Sequence, residues 1–272
     1  LTPAGRGRYR SEALDTDVAL EPDLLHPLCK GSLDIRRYAF DDPQRVVLFP
    51  YKVTDGHAQL LAKSDFQKRY PKTWEYLQAN REALESRERG KWKHDRWYAF
   101  GRSQNLSEME QVKLLTPSIA KSASFVLDAE GEYYFVGSGG GGGGGYGITL
   151  RPDLGLDLRF VLGLLNSRLL DFYLKAISSP FSGGYYAYNR QYIERLPIAG
   201  LDDPKAQAAI SKLAERAMAL RRTLTSARSP HEQTSLTRQV DAVDGEIDGI
   251  VYRLFNLDAA DAKVVEDGTS AA

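Results

Sequence analysis

The sequence predicts an α+β chain: a mixed helix-and-strand domain followed by an antiparallel helical hairpin. Three observations carry that assignment. Short runs rich in β-branched and aromatic residues cluster before Leu150. Phe160, Val161, Leu164, Leu165, Leu169, Phe172 and Tyr173 then recur at the three-to-four spacing of a helix with one buried face. After Pro204 two heptad-like series follow one another, separated by a short polar link.

Composition sets the frame. The chain has 272 residues, 42% hydrophobic and 26% charged, so it can bury a core and is not a disordered segment. A formal net charge of +0 argues against a generic polyanion binder. The charge is unevenly distributed, however. Residues 63–121 hold thirteen Lys/Arg against eight Asp/Glu, whereas residues 241–272 hold two against eight. A basic middle and an acidic tail suit a chain that turns one face to an acidic partner. The single Cys29 rules out an internal disulfide framework and fits a reducing, cytoplasmic setting. His26, His57, His94 and His231 have no metal-ligand spacing, and no apolar run reaches membrane-spanning length. The first residue is Leu1, and the chain reads as a piece of a longer protein.

In chain order, residues 1–20 are polar, with Arg6, Arg8 and Arg10 around Gly5 and Gly7, and read as a linker. A domain spanning 21–198 follows. Val46 to Tyr51 reads as a strand by its β-branched content, closed by Pro50. Ser64 and Asp65 open a helix that Pro71 restarts, with Trp74, Leu77 and Leu84 on one face. In the stretch GKWKHDRWYAFGRSQN, Trp92 and Trp97 interleave with Lys91, Lys93, His94, Arg96 and Arg102. Such a pattern neutralises phosphates and stacks on bases, unless the tryptophans belong to the core. Lys113 to Thr116 reads as a strand stopped by Pro117, and 125–128 with 132–136 as a hairpin. The glycine tract Gly139 to Gly145 lacks the Lys-Ser/Thr of a phosphate loop and reads as a flexible loop before a strand at Tyr146. The last part, 199–272, comprises the helical hairpin and an acidic tail. Asp203-Pro204 starts its first helix and Ser229-Pro230 its second.

The stretch around which the chain is organised is FVLGLLNSRLLDFYLKAISSPFSGGYYAYNRQYIERLP, residues 160–197. Its helical half delivers a glycine-flanked loop carrying Tyr185, Tyr186, Tyr188, Asn189, Arg190 and Gln191. Stacking faces, a phosphate donor and bidentate amides are the groups that read nucleic acid.

This segment resembles the TaqI-like C-terminal specificity domain, the target-recognition part of adenine-specific DNA methyltransferases and of restriction enzymes fused to them. FPY at 49–51, YPKTWEYLQANREALESRERG at 70–90, WYAFGRSQN at 97–105 and KLLTPSI at 113–119 follow the same family in the same order, and 240–257 is similar to its helical tail. The resemblance implies a bacterial, cytoplasmic restriction-modification protein whose partners are double-stranded DNA and an N-terminal methyltransferase domain of the same polypeptide. It also implies S-adenosylmethionine, and Mg2+ for any nuclease, as cofactors of those other domains rather than of this chain. With it, Lys91, Lys93, Arg96, Arg102 and Arg190 become candidate phosphate contacts. Gln104, Asn105, Asn189 and Gln191 become candidate base readers, and Tyr185, Tyr186 and Tyr188 stacking candidates. For the four amides the alternative role is capping of turns. For the tyrosines it is core filling.

The chemistry of catalysis is not legible here. The Asn/Asp-Pro-Pro-aromatic turn and the glycine-rich cofactor turn of an adenine-N6 methyltransferase have no counterpart, Ser179-Pro180-Phe181 being the nearest match. Glu85, Glu88 and Lys91 read as a solvated charge cluster rather than a nuclease centre. The chain is therefore expected to be a non-catalytic part of an enzyme. The competing expectation is a protein-interaction module of a DNA-modification or phage-defence complex that uses the helical hairpin.

Overall fold

The structure, a computed structural model, describes residues 1–137 and 143–270. The chain forms two compact units. One comprises Leu1–Leu28, Pro43–Gln111 and Gly131–Tyr134; the other comprises Cys29–Asp42, Val112–Glu130 and the chain from Phe135 onward. The mixture of small sheets and helices is the α+β architecture that the patterning predicts, with a C-terminal helical part.

In the first unit, residues 1–20 are not a frayed linker. Thr2–Gly5, Arg8–Ser11 and Thr16–Ala19 form an antiparallel meander. The turn at Gly5, Arg6 and Gly7 lies wholly at positive φ, so the glycines that suggest looseness are the residues that let the first hairpin close. Leu25–Cys29 pairs with Val46–Leu48, and Tyr51–Thr54 with His57–Leu60. Lys63–Arg69 and Pro71–Ala79 are helical, and Pro71 restarts the helix as its fixed φ requires. No side chain of its own first turn caps the second helix. Glu21 does so from across the unit, accepting from Lys72 N at 3.0 Å, Thr73 N at 2.8 Å and Thr73 Oγ1 at 2.6 Å. Burial pushes the Glu21 carboxyl up, but these hydrogen bonds outweigh it and hold it below its ordinary value. Aromatic rings dominate the core: Phe66, Tyr70, Trp97 and Tyr98 in one cluster, and Phe49, Tyr51 and Tyr134 in another.

In the second unit, Lys113–Pro117 is the central strand, flanked antiparallel by Val126–Asp128 and Gly145–Ile148. Pro117 is the last residue of that strand. The hairpin expected between 125–128 and 132–136 does not form, because Val126–Asp128 pairs with Lys113–Leu115 instead. The reason lies at Gly131, which belongs to the first unit. It sits at φ +68° against the Glu110 carbonyl, where any Cβ would collide. The loop expected at the glycine tract lies partly outside the described residues, which omit Gly139 to Gly142, while Gly145 already belongs to the strand.

The apolar row from Phe160 to Tyr173 is two helices, Leu158–Leu165 and Arg168–Ile177, rather than one. Asn166 breaks it. Its buried amide receives Phe125 N at 3.0 Å and donates to Phe125 O at 2.9 Å, and Ser167 then caps the second helix. Asp203 caps Pro204–Ser226 by accepting from Ala206 N at 3.0 Å, as its place before Pro204 predicts. Ser229 stands at the cap of Pro230–Leu254 but its side chain makes no capping bond. Of the heptad positions, Ile210, Ala217, Val243 and Ile247 are buried in one core with Phe160, Leu164 and Leu174, while Leu213, Leu220, Ile250 and Leu254 are half-buried against it, and Ala214 and Val251 take the neighbouring core places. Gly163 permits the close approach, because a methyl there would collide with Ile210 Cγ2. The acidic tail is itself a helix, Ala259–Ser270, with Gly268 against the Phe172 ring. Inside this unit Arg37 pairs with Asp244 at 2.9 Å, and Asp248 accepts from Arg168 N at 2.8 Å. Burial pushes the Asp248 carboxyl up to about 6. Among the described residues no helix is long and apolar enough to cross a membrane.

Candidate nucleic-acid interface

The candidate residues divide between the two units. Lys91, Lys93, Arg96, Arg102, Gln104 and Asn105 lie in the first, and residues 185–191 in the second.

In the first unit, the helix Arg81–Gly90 loses helical geometry at Arg87, and Glu88, Arg89 and Gly90 all adopt positive φ. This left-handed run turns the chain into the segment 91–105. One arginine clasps the turn. Arg87 donates to Leu84 O at 2.7 Å, Trp97 O at 2.6 Å and Ala99 O at 3.0 Å, and its guanidinium lies 4.6 Å from the Trp92 ring centre. The sequence did not single out Arg87. Its signal was only an arginine at a helix end, and its targets lie ten and twelve residues away.

The two tryptophans part company. Trp97 is buried, its ring 5.7 Å from Trp74 with Arg81 over it at 5.3 Å. It is a core residue and offers no free face to a base. Trp92 is half-buried beneath Arg87. Lys91, Lys93, Arg96, Arg102, Gln104 and Asn105 are all exposed. Asn105 stands at φ +58° before the turn Leu106–Glu108, yet its side chain makes no capping bond.

In the second unit, Pro180–Phe181 and Tyr185–Ala187 form a hairpin whose turn passes through Gly183 and Gly184 at φ +78° and +77°. It extends a three-stranded sheet by pairing with Ile119–Ala120. The three tyrosines take different places. Tyr185 is exposed, with Lys121 Nζ 5.3 Å from its ring centre. Tyr186 is half-buried, with Lys175 Nζ at 5.7 Å. Tyr188 is fully buried, and its hydroxyl donates to Asp171. Burial, with the Asp171 charge beside it, pushes that phenol well above its ordinary value. Tyr188 is thus core and offers no face for stacking.

Asn189 precedes the single helical turn Arg190–Ile193, again with no side-chain capping bond. Arg190 is 85% exposed and, among the described residues, its guanidinium pairs only with Glu194, at 3.2 Å, an exposed pair that leaves it available. Gln191 is exposed. Replacing Tyr185 by alanine is expected to change stability by less than about 1 kcal/mol, as for other surface positions. Thermal melting of that variant checks the placement, and a loss of several degrees would show a buried ring.

Over 264 aligned residues the chain is 25% identical to the type II restriction enzyme and methyltransferase RM.Eco57I of Escherichia coli. The match takes in 91% of this chain but 26% of that enzyme, so the chain spans about a quarter of the relative's length. Residues 63–198, which contain every candidate contact residue, match the TaqI-like C-terminal specificity domain. The chain belongs to the TaqI-like C-terminal specificity domain family.

Proposed function

We propose that this chain is the sequence-recognition part of a restriction-modification enzyme, gripping duplex DNA while a methyltransferase domain of the same polypeptide acts on an adenine turned out of the stack. One observation carries the reading. Four carboxamides, Gln104, Asn105, Asn189 and Gln191, sit on short turns with no side-chain hydrogen bond within the chain among the described residues, although two of them occupy capping positions. Amides that fold stability does not use are free to meet adenine bidentately. Beside them, Lys91, Lys93, Arg96, Arg102 and Arg190 supply the phosphate contacts, and Tyr185 with the half-buried Tyr186 supplies stacking faces.

On this reading the chain is non-catalytic. S-adenosylmethionine, and Mg2+ if the parent cuts DNA, belong to other domains, and the setting is a bacterial cytoplasm. The competing assembly-module reading requires the heptad seam to be open to a partner. Ile210, Ala217, Val243 and Ile247 of that seam are instead buried within the second unit, with Leu213, Leu220, Ile250 and Leu254 packed against them.

A filter-binding titration of the chain with duplex DNA at low and high salt tests the proposal. Binding is expected to be weak and salt-sensitive, because log Kobs falls by about 0.9 per neutralised phosphate for each decade of salt. Binding that is the same at both salt concentrations would remove the basis for the reading.

A further inference from the structure

We propose that the free end of the helical hairpin, outside the segment 63–198, is a second surface that binds the phosphate backbone of duplex DNA. Charge separates along the hairpin. Residues 216–242 carry five arginines (Arg216, Arg221, Arg222, Arg228 and Arg238) against Glu232 and Asp241, whereas the rest of the hairpin carries Lys205, Lys212 and Arg253 against Glu215, Asp244, Glu246 and Asp248. At the basic end an open cleft of about 600 Å3 lies between the two helices, lined by Arg216, His231, Thr234, Ser235, Arg238 and Gln239 among others. His231, Ser235 and Arg238 follow at intervals of four and three, one stripe of Pro230–Leu254, on a different face from the buried Leu236, Val240 and Val243.

These side chains are not used by the fold. Arg238, His231, Ser235 and Gln239 are exposed and make no side-chain hydrogen bond or ion pair among the described residues. Arg216 reaches only Glu246, at 3.8 Å and with both groups more than half exposed. Arg221 Nε, on the facing helix, is buried with no hydrogen-bond partner.

The occupant follows from the chemistry of the lining. Beside Pro230 and Ala242, the lining offers guanidinium, hydroxyl and carboxamide donors that match phosphate oxygens, and it has no large aromatic or aliphatic side chain of the kind that anchors a protein partner. The seven helical steps from His231 to Arg238 span about 10.5 Å, a length over which a duplex presents about six phosphate charges. Contact there lengthens the footprint on DNA without reading its sequence.

This inference rests on the proposed function, and its test separates the two. Wild-type chain and the double variant Arg216→Gln/Arg238→Gln are titrated with a mixed-sequence duplex across a range of salt. The variant is expected to melt like wild type, because both positions are exposed, and its salt slope is expected to be shallower by about two units. Arg238→Lys, which keeps the charge, is expected to keep the slope. A wild-type chain that binds with a slope unchanged in the double variant overturns the hairpin surface and leaves the proposed function standing. No binding by wild type overturns both. Binding of an oligoglutamate to this surface more tightly than of the duplex assigns it to an acidic protein partner and overturns the proposal.

Discussion

Replacing Asp171 by alanine is expected to destabilise the second unit by about 3–5 kcal/mol, because the carboxylate is buried and serves three donors at once. It accepts from Ala123 N at 2.7 Å, pairs with Lys175 Nζ at 2.9 Å and receives the Tyr188 hydroxyl. Removing it strands a buried amide, a buried phenol and a lysine that is 9% exposed. Because the cost of an uncompensated buried cation exceeds that of a missing neutral hydrogen bond, Lys175 contributes the largest share. The same change frees the second strand of the Pro180–Ala187 hairpin, since Tyr188 anchors its end and Lys175 lies against Tyr186. Tyr188→Phe, which removes one donor and leaves the carboxylate paired, is expected to cost only about 1 kcal/mol. Calorimetric melting of both variants and of the double variant checks the account. Strict additivity of the two changes would mean that the hydroxyl and the carboxylate do not act as a network.

Lys113→Met is expected to be comparably damaging, about 3–5 kcal/mol, for a related reason. Lys113 and Asp128 face each other in register across adjacent strands, with Nζ 2.6 Å from Oδ2 and side chains 1% and 2% exposed. Methionine fills the volume of the lysine stem but leaves the Asp128 carboxylate facing an apolar group. The double change Lys113→Met/Asp128→Leu removes both charges and should recover most of the loss, because desolvating a buried pair costs about as much as the pair gains. Urea denaturation of the two variants decides the matter. A double variant no more stable than Lys113→Met would show that the pair's attraction outweighs its desolvation.

The parts of the fold that local chemistry specifies were legible in the sequence. Pro71 and Asp203-Pro204 mark helix starts through fixed φ and a short carboxylate, and the seam of the hairpin shows in its spacing. What escaped depends on partners remote in sequence. The break at Asn166 is set by the backbone of Phe125, forty-one residues away, while its own neighbours keep an unbroken helical period. The meander in residues 1–20 is carried by turns at positive φ, and polar composition alone does not distinguish these from a linker. The site divides in the same way. That the cations at 91–102 are exposed follows from their type. That Trp97 and Tyr188 are core does not, because their burial depends on Trp74, Arg81 and Asp171.

The central claim is that the segments 91–105 and 185–191 face DNA, and backbone hydrogen exchange of the chain with and without duplex DNA tests it most directly. The account predicts that saturating duplex slows exchange in both segments, and that the slowing is lost at high salt. Slowing confined to the acidic helix Ala259–Ser270, or no difference in either segment while the duplex is bound, would contradict it.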